Sequence, residues 1–230
     1  MRRPMISVVV PALDEASGLA VCLASARDPH VADIVVVDGG SRDATPELAG
    51  RLADRVLRAA PGRALQMNAG AAIARGDVLL FLHADSRLPA GFGASVTRAI
   101  EGGAIGGRFD VRLRGRHPGF PLLGAAINAR SRWSGIATGD QAIFVRRTTF
   151  DAIGGFEPIP LMEDVRLSRT LGRCGSFVAL RDRVETSGRR WEEYGFVRTV
   201  LLMWRLRFLH ACGVPPEDLV GRYPPHRARE

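Results

Sequence analysis

Three runs along the chain are apolar almost without interruption and then turn polar: "ISVVVP" at 6–11, "IVVVDGGS" at 34–41 and "VLLFLHAD" at 78–85. A strand with one wet face would alternate, so unbroken runs of this length predict strands buried on both faces of a parallel sheet. Helical patterns separate them. "SGLAVCLASAR" at 17–27 supplies one. A second spans 45–57, with Thr45 at the N-cap and Pro46 at the first helical position. A third spans 62–75 and closes on Gly76 as a C-cap. Strand, helix, strand, helix, strand predicts an α/β fold with a doubly wound sheet, and ligands of such sheets bind beyond the carboxyl ends of the strands. Asp14 with Glu15, Asp38 and Asp85 lie just past those ends, so the pattern places three acidic strand ends on one rim.

Beyond Pro89 the pattern loosens. A helix is expected over 91–100, a strand over 105–113 and a mobile loop over 114–121. A helix over 125–133, a strand over 141–147 and a helix starting near Asp164 follow, and an amphipathic helix is expected over 191–212. Neither an internal repeat nor a low-complexity linker divides the chain, which favours one domain over 1–230.

Composition adds limits. Hydrophobic residues at 46% and charged residues at 24% are ordinary for a globular protein. The net charge of +8 invites nucleic acid or anionic lipid. Every basic residue is Arg, however, and these are scattered without a helix-turn-helix, zinc-finger or RNP pattern, so no nucleic-acid partner is expected. Cys22, Cys174 and Cys212 have neither zinc-site nor disulfide spacing and read as reduced cytosolic thiols. Arg2 and Arg3 precede an apolar run shorter than the roughly 7 to 15 residues of a signal-peptide core. No stretch offers the roughly 18 uncharged apolar residues of a membrane span, so the expectation is a cytoplasmic chain, with peripheral contact at the inner membrane face open to it.

Two nucleotide signatures fail: the P-loop string is absent, and "PALDEA" stands where a dinucleotide fold carries its Gly-rich turn. Serine hydrolysis lacks a G-x-S-x-G elbow. Instead "VVVPALDE", "VVDGGSRDAT", "GRALQMNAGAAIARGDVLLFLHADS", "TGDQAIFVRR" and "MEDVRL", taken together, resemble the family 2 glycosyltransferases. These are inverting enzymes of the GT-A (nucleotide-diphospho-sugar transferase) fold, with a mostly parallel central sheet flanked by helices. The resemblance covers roughly 5–190 and is closest to small bacterial members with "HADS" and "SGRRW" blocks.

That resemblance implies roles. Asp85 would hold Mg²⁺ or Mn²⁺, which neutralises a departing diphosphate as a Lewis acid. The family's Asp-x-Asp motif has His83 in its first place here, leaving Asp85 as the direct ligand and His83, with Ala84, beside the nucleotide sugar. Asp38 would accept a hydrogen bond from a nucleobase N–H, as uracil offers. Pro11, Ala12, Leu13 and Glu15 would form the facing wall; Asp14 departs from the Asn more usual before Glu. Arg63 and Asn68 would reach the nucleotide or diphosphate. Asp164 matches the catalytic base, which deprotonates an acceptor hydroxyl. Glu163, Gly139, Asp140, Gln141, Arg190 and Trp191 would contact donor sugar or acceptor.

Each residue has a plainer reading: Asp85 and Asp164 as helix caps, Asp38 as a turn residue, Arg63 as a solvated helix start, Trp191 as packing. The basic helix at 191–212 suits either packing on the domain or an anionic membrane bearing a lipid-linked acceptor. The favoured function is metal-dependent, inverting transfer from a nucleotide-diphosphate sugar, UDP-linked by preference, to an unknown hydroxyl acceptor. A degenerate Rossmann dehydrogenase and a noncatalytic basic module on anionic lipid are the alternatives.

Overall fold

The computed structural model describes residues 3–223; the remaining ends of the 1–230 span lie outside the described residues. Its first half alternates strand and helix: β1 (Ile6–Ala12), α1 (Ala16–Ser25), β2 (Val31–Asp38), α2 (Thr45–Leu52), β3 (Arg55–Arg58), α3 (Arg63–Ile73), β4 (Val78–Phe81) and α4 (Phe92–Glu101). The second half contains β5 (Gly106–Arg114), α5 (Phe120–Ser134), β6 (Phe144–Arg146), α6 (Arg147–Ala152), α7 (Glu163–Cys174) and β7 (Phe177–Ser187). Helices α8 (Arg189–Tyr194), α9 (Phe196–Ala211) and α10 (Pro216–Val220) close it.

All seven strands form one sheet in the order β3-β2-β1-β4-β6-β5-β7. Pairing is parallel except where β6 runs against β4 and β5. The unbroken apolar runs follow from this placement. Along β1, Val8 and Val10 point to one face and Val9 to the other; Val36 and Val37 divide the same way in β2, and Leu80 and Phe81 in β4. One face is covered by Leu19, Leu23, Ala49, Phe92 and Val96 from α1, α2 and α4, the other by Met67, Ala71, Phe150 and Leu167 from α3, α6 and α7. Both faces are dry, so neither could be polar.

Several boundaries differ from expectation. The helix expected over 45–57 stops at Leu52, and "RVLR" becomes edge strand β3, because β2 leaves a row of backbone groups that pair with it from Arg55 to Arg58. Gly76 is not a helix cap. It follows the end of α3 and lies so close to β1 that a Cβ would stand 2.5 Å from the Ser7 nitrogen, while its own N–H donates to Ser7 Oγ at 2.7 Å. As expected, by contrast, β2 ends at Asp38, and β4 ends at Phe81, with His83 and Asp85 in the turn beyond. The expected loop over 114–121 is narrower: Arg114 lies in β5 and Phe120 begins α5. Arg116 N–H donates to Glu192 Oε1 at 2.7 Å and His117 stacks on Phe196, which ties the loop to α8 and α9. The tail over 191–212 is two helices, broken at Gly195, whose φ is 86°. Among the described residues, no helix is long and apolar enough to cross a membrane.

Candidate active site

The first two strand ends are laced together by hydrogen bonds. Asp14 adopts φ 55°, a conformation that Asn and Asp tolerate better than most residues. Its N–H donates to Ser41 Oγ at 3.0 Å, and its Oδ1 accepts Arg42 N–H at 2.7 Å. Glu15 N–H donates to Thr45 Oγ1 at 2.8 Å and Ala16 N–H to Asp43 Oδ2 at 3.0 Å. Asp38, buried, turns its carboxylate onto the N–H groups of Gly40 and Ser41. The turn role of Asp38 is therefore real, and it fixes the loop that faces Asp14.

Beside this lacing lies a cavity of about 610 Å³ whose walls include Glu15, Asp43, Asp85, Arg87, Arg114 and Arg189. Burial, and then the charge of Asp85, push the Glu15 carboxyl up to about 7, while Arg189 Nη2 at 3.3 Å pulls it back. Arg114 Nη2 donates to the Asp85 carbonyl at 2.8 Å, and Ser86 Oγ to Asp85 Oδ1 at 3.2 Å. Asp85 thus sits on a turn held from β5, with its carboxylate close to that of Glu15.

On the other side of the His83–Asp85 turn is a crevice lined by His83, Gly139, Glu163, Asp164 and Phe156. Asp164, on the first turn of α7, accepts Gly139 N–H at 2.8 Å on Oδ2 and Val165 N–H at 2.7 Å on Oδ1. Met162 and not Asp164 is the N-cap, but the Asp164 carboxylate still takes up a free N–H of the first turn while lining the crevice. Glu163 is buried and pairs with Arg63 Nε at 2.9 Å, across from the start of α3. Burial pushes the Glu163 carboxyl up to about 7 against the pull of Arg63. Burial pulls the Arg63 guanidinium down, but Glu163, Tyr223, Asp164 and Asp140 together outweigh it and hold the group above its ordinary value. Burial, followed by Arg63, lowers the pKa of His83, so its imidazole is neutral at pH 7; Asp85, Asp140 and Asp164 pull the other way. His83 thus lies within charge range of Arg63, Asp85, Asp140 and Asp164, and links the cavity that Asp85 lines to the crevice that Glu163 and Asp164 line.

The remaining expected residues divide. Gly139, Asp140 and Gln141 form one short 3-10 turn; Gln141 is buried and donates to the Phe109 carbonyl, whereas Asp140 Oδ1 is buried with no hydrogen-bond partner among the described residues. Leu13 is exposed at the rim. Pro11 and Ala12 are buried in β1, and the Ala12 carbonyl accepts Gln66 Nε2 and Gly39 N–H. Asn68 bonds the Phe156 backbone both ways, at 2.8 and 2.9 Å, and Ala84 is buried in the core. Arg190 lies over the Tyr223 ring at 4.3 Å, and Trp191 meets Phe120 edge-on. Arg114, Arg189 and Asp43 were not among the expected residues; Asp43 and Arg189 stand inside the quoted "GGSRDAT" and "SGRRW" blocks, but Arg114 becomes visible only when β5 pairs with β7.

Residues 7–159 match the model of glycosyl transferase family 2. The chain belongs to that family. Over 178 residues it is 32% identical to the PGL/p-HBAD biosynthesis glycosyltransferase of Mycobacterium tuberculosis, covering 68% of this chain and 64% of that protein. Over 207 residues it is 28% identical to the succinoglycan biosynthesis protein ExoA of Rhizobium meliloti, covering 76% and 60%. The family 2 chain therefore spans less than two thirds of the length of these curated relatives. Among solved structures it is similar to glucosyl-3-phosphoglycerate synthase from M. tuberculosis in complex with Mn²⁺, UDP and glucosyl-3-phosphoglycerate. That match has a TM-score of 0.63 at 23% identity and covers 92% of this chain and 81% of that one. GalNAc-T7 with UDP, GalNAc and Mn²⁺ matches with a TM-score of 0.62 at 19% identity, covering 80% and 44%. The fold is GT-A, as the resemblance implied.

A divalent cation fits this family 2 site in one way. Among the described residues no group of three or more His, Cys, Asp or Glu could hold an ion. The oxygen donors of Asp85, with Glu15 nearby, suit Mg²⁺ or Mn²⁺ bound through one or two carboxylates, the rest of the shell coming from phosphate and water.

Proposed function

We propose that the chain transfers a sugar from a nucleotide diphosphate, UDP by preference, to a hydroxyl acceptor with inversion at the anomeric carbon. The observation that carries this reading is His83, within charge range of Arg63, Asp85 and Asp164, on the turn between the cavity that Asp85 lines and the crevice that Asp164 lines. Two structurally similar enzymes hold UDP and Mn²⁺, which supports the choice of donor and cation. Held by Asp85, a divalent cation would supply Lewis-acid neutralisation of the diphosphate.

The chain's own residues do the rest. Asp164 spends one lone pair of each oxygen on Gly139 and Val165, which orients the carboxylate and leaves capacity for an acceptor hydroxyl. As the acceptor oxygen bonds to the anomeric carbon, its proton passes to Asp164 and the glycosidic electron pair leaves with the nucleotide. Such a base contributes about 10²- to 10⁴-fold. Neutral His83 would offer a hydrogen bond without adding charge, and Asp140, whose buried Oδ1 has no partner among the described residues, would accept from a sugar hydroxyl. Arg63 stays charged, held by Glu163, to meet the nucleotide. The base-pairing role of Asp38 is part of the same proposal, through whichever lone pairs the Gly40 and Ser41 contacts leave.

The deciding experiment is calorimetric titration of UDP with and without Mn²⁺. Binding should require Mn²⁺ and vanish in Asp85→Ala, while Asp164→Asn should bind UDP normally and lose transfer by about 10²-fold or more. Metal-independent binding, or transfer that survives in Asp164→Asn, would overturn the respective assignment.

A further inference from the structure

Helices α5 and α9 share an unusual design. In α9 the buried residues Thr199, Leu206 and His210 occupy one face. On the opposite face Val197, Leu201, Trp204 and Phe208 recur at helical spacing, each between 61% and 67% exposed. In α5, Phe120, Gly124 and Ser131 are buried, and the opposite face carries Leu122 at 77% exposure and Trp133 at 90%. The helices are neighbours that run in the same direction: Phe196 packs 6.0 Å from Phe120 at their starts, and Arg207 lies within charge range of Arg130 further along. Neither helix contains a single Asp or Glu. Arg198 and Arg205 flank one edge of the α9 stripe and Arg207 the other.

From this arrangement we propose that α5 and α9 form a docking surface for an anionic phospholipid bilayer. The packing and membrane readings of the C-terminal helix then both hold, on opposite faces. An in-plane helix needs an apolar face with aromatic residues, bordered by basic side chains that reach lipid phosphates, and α9 has this layout. Charge decides against a second copy of the chain. In a twofold contact the same patch meets itself, which would bring two sets of Arg198, Arg205 and Arg207 into one interface with no carboxylate on either helix to pair them. An anionic surface supplies the missing countercharge. The inner face of α9, opposite the stripe, packs through Leu206 against Leu161, Met162 and Val165 around the start of α7, the helix that carries Asp164. Lipid binding does not depend on the transferase reading.

The test is co-sedimentation of the full chain with vesicles of phosphatidylglycerol and phosphatidylcholine, compared with phosphatidylcholine alone. Binding should favour the anionic vesicles, weaken with salt, and fall by about tenfold or more in Leu201→Glu/Trp204→Glu, whose melting temperature should match the parent. Should that variant fail to fold, Arg198→Gln/Arg205→Gln leaves the apolar stripe intact and should weaken binding with a shallower salt dependence. Absence of binding to anionic vesicles, equal binding by the variants, or a parent dimer that the substitutions convert to monomer would each overturn the proposal. UDP titration on the same samples reports separately on the active site.

Discussion

Replacing Arg63 with Met should produce a loss of stability that is small in mild acid and grows with alkalinity. Met keeps much of the stem that packs at the start of α3 but removes the charge 2.9 Å from buried Glu163. Burial raises the Glu163 carboxyl from 4.5 to about 7 even with Arg63 present. In the parent, a folded pKa above the unfolded one means that the native state holds the extra proton. The stabilising contribution is therefore complete below pH 4.5 and fades as pH rises toward 7. Below that point Glu163 is protonated with or without Arg63, so the variant loses only contacts. Above it the parent ionises, whereas the variant has no counter-charge and keeps its proton. The gap between them then opens by up to roughly 1 kcal/mol per pH unit, so that it is on the order of 1 kcal/mol at pH 8 and larger at pH 9. Arg63 is about one-third exposed, so solvent screening reduces these figures. Urea denaturation at pH 6, 8 and 9 measures the gap, and Arg63→Met/Glu163→Gln should close most of it. A destabilisation that is the same at all three values, or one the double variant does not relieve, would refute the argument.

Two further expectations rest on close packing. Gly70→Ala places a methyl against the side chain of Val9 and 2.9 Å from Val37 Cγ2, forcing α3 off β1 and β2; overpacking of about 1–3 kcal/mol should exceed the helix-propensity gain of about 1 kcal/mol. Urea midpoints check this, and a net gain in stability would contradict the packing described. Gly139→Ala drives a Cβ into the His83 imidazole and disturbs the turn that holds Asp164, so transfer should fall by about tenfold or more. Adding His83→Ala removes the overlap and should recover stability; a double variant no more stable than the single one would show that the ring is not what Gly139 accommodates.

Much of this architecture is legible in the chain itself. The runs ending at Pro11, Asp38 and Asp85 could satisfy nothing but a doubly covered sheet, and the polar residues that end them had to face its rim. The helix that begins at Glu163 shows itself by its apolar spacing, Val165, Leu167 and Leu171 being buried along it. β3 was hidden because "RVLR" acquires its partner from β2, and helical and strand patterns are indistinguishable over so few residues. β7 was missed for a related reason: it is mostly half-buried, so its residues alternate weakly and its identity comes from pairing with β5.

At the site, the order of residue types along the chain determined which carboxylates stand at strand ends and helix starts, and which blocks mark the family. It could not determine their partners. Only the folded chain brings Arg63 to Glu163 across 100 positions, Arg189 to Glu15 and Arg114 to the back of Asp85, because those contacts depend on which strands lie side by side. The same holds for Asn68, which a motif places near a nucleotide and tertiary packing commits to the Phe156 backbone. Local chemistry is written in sequence; the distances between charges, and therefore which proton sits where, arise only when the sheet closes.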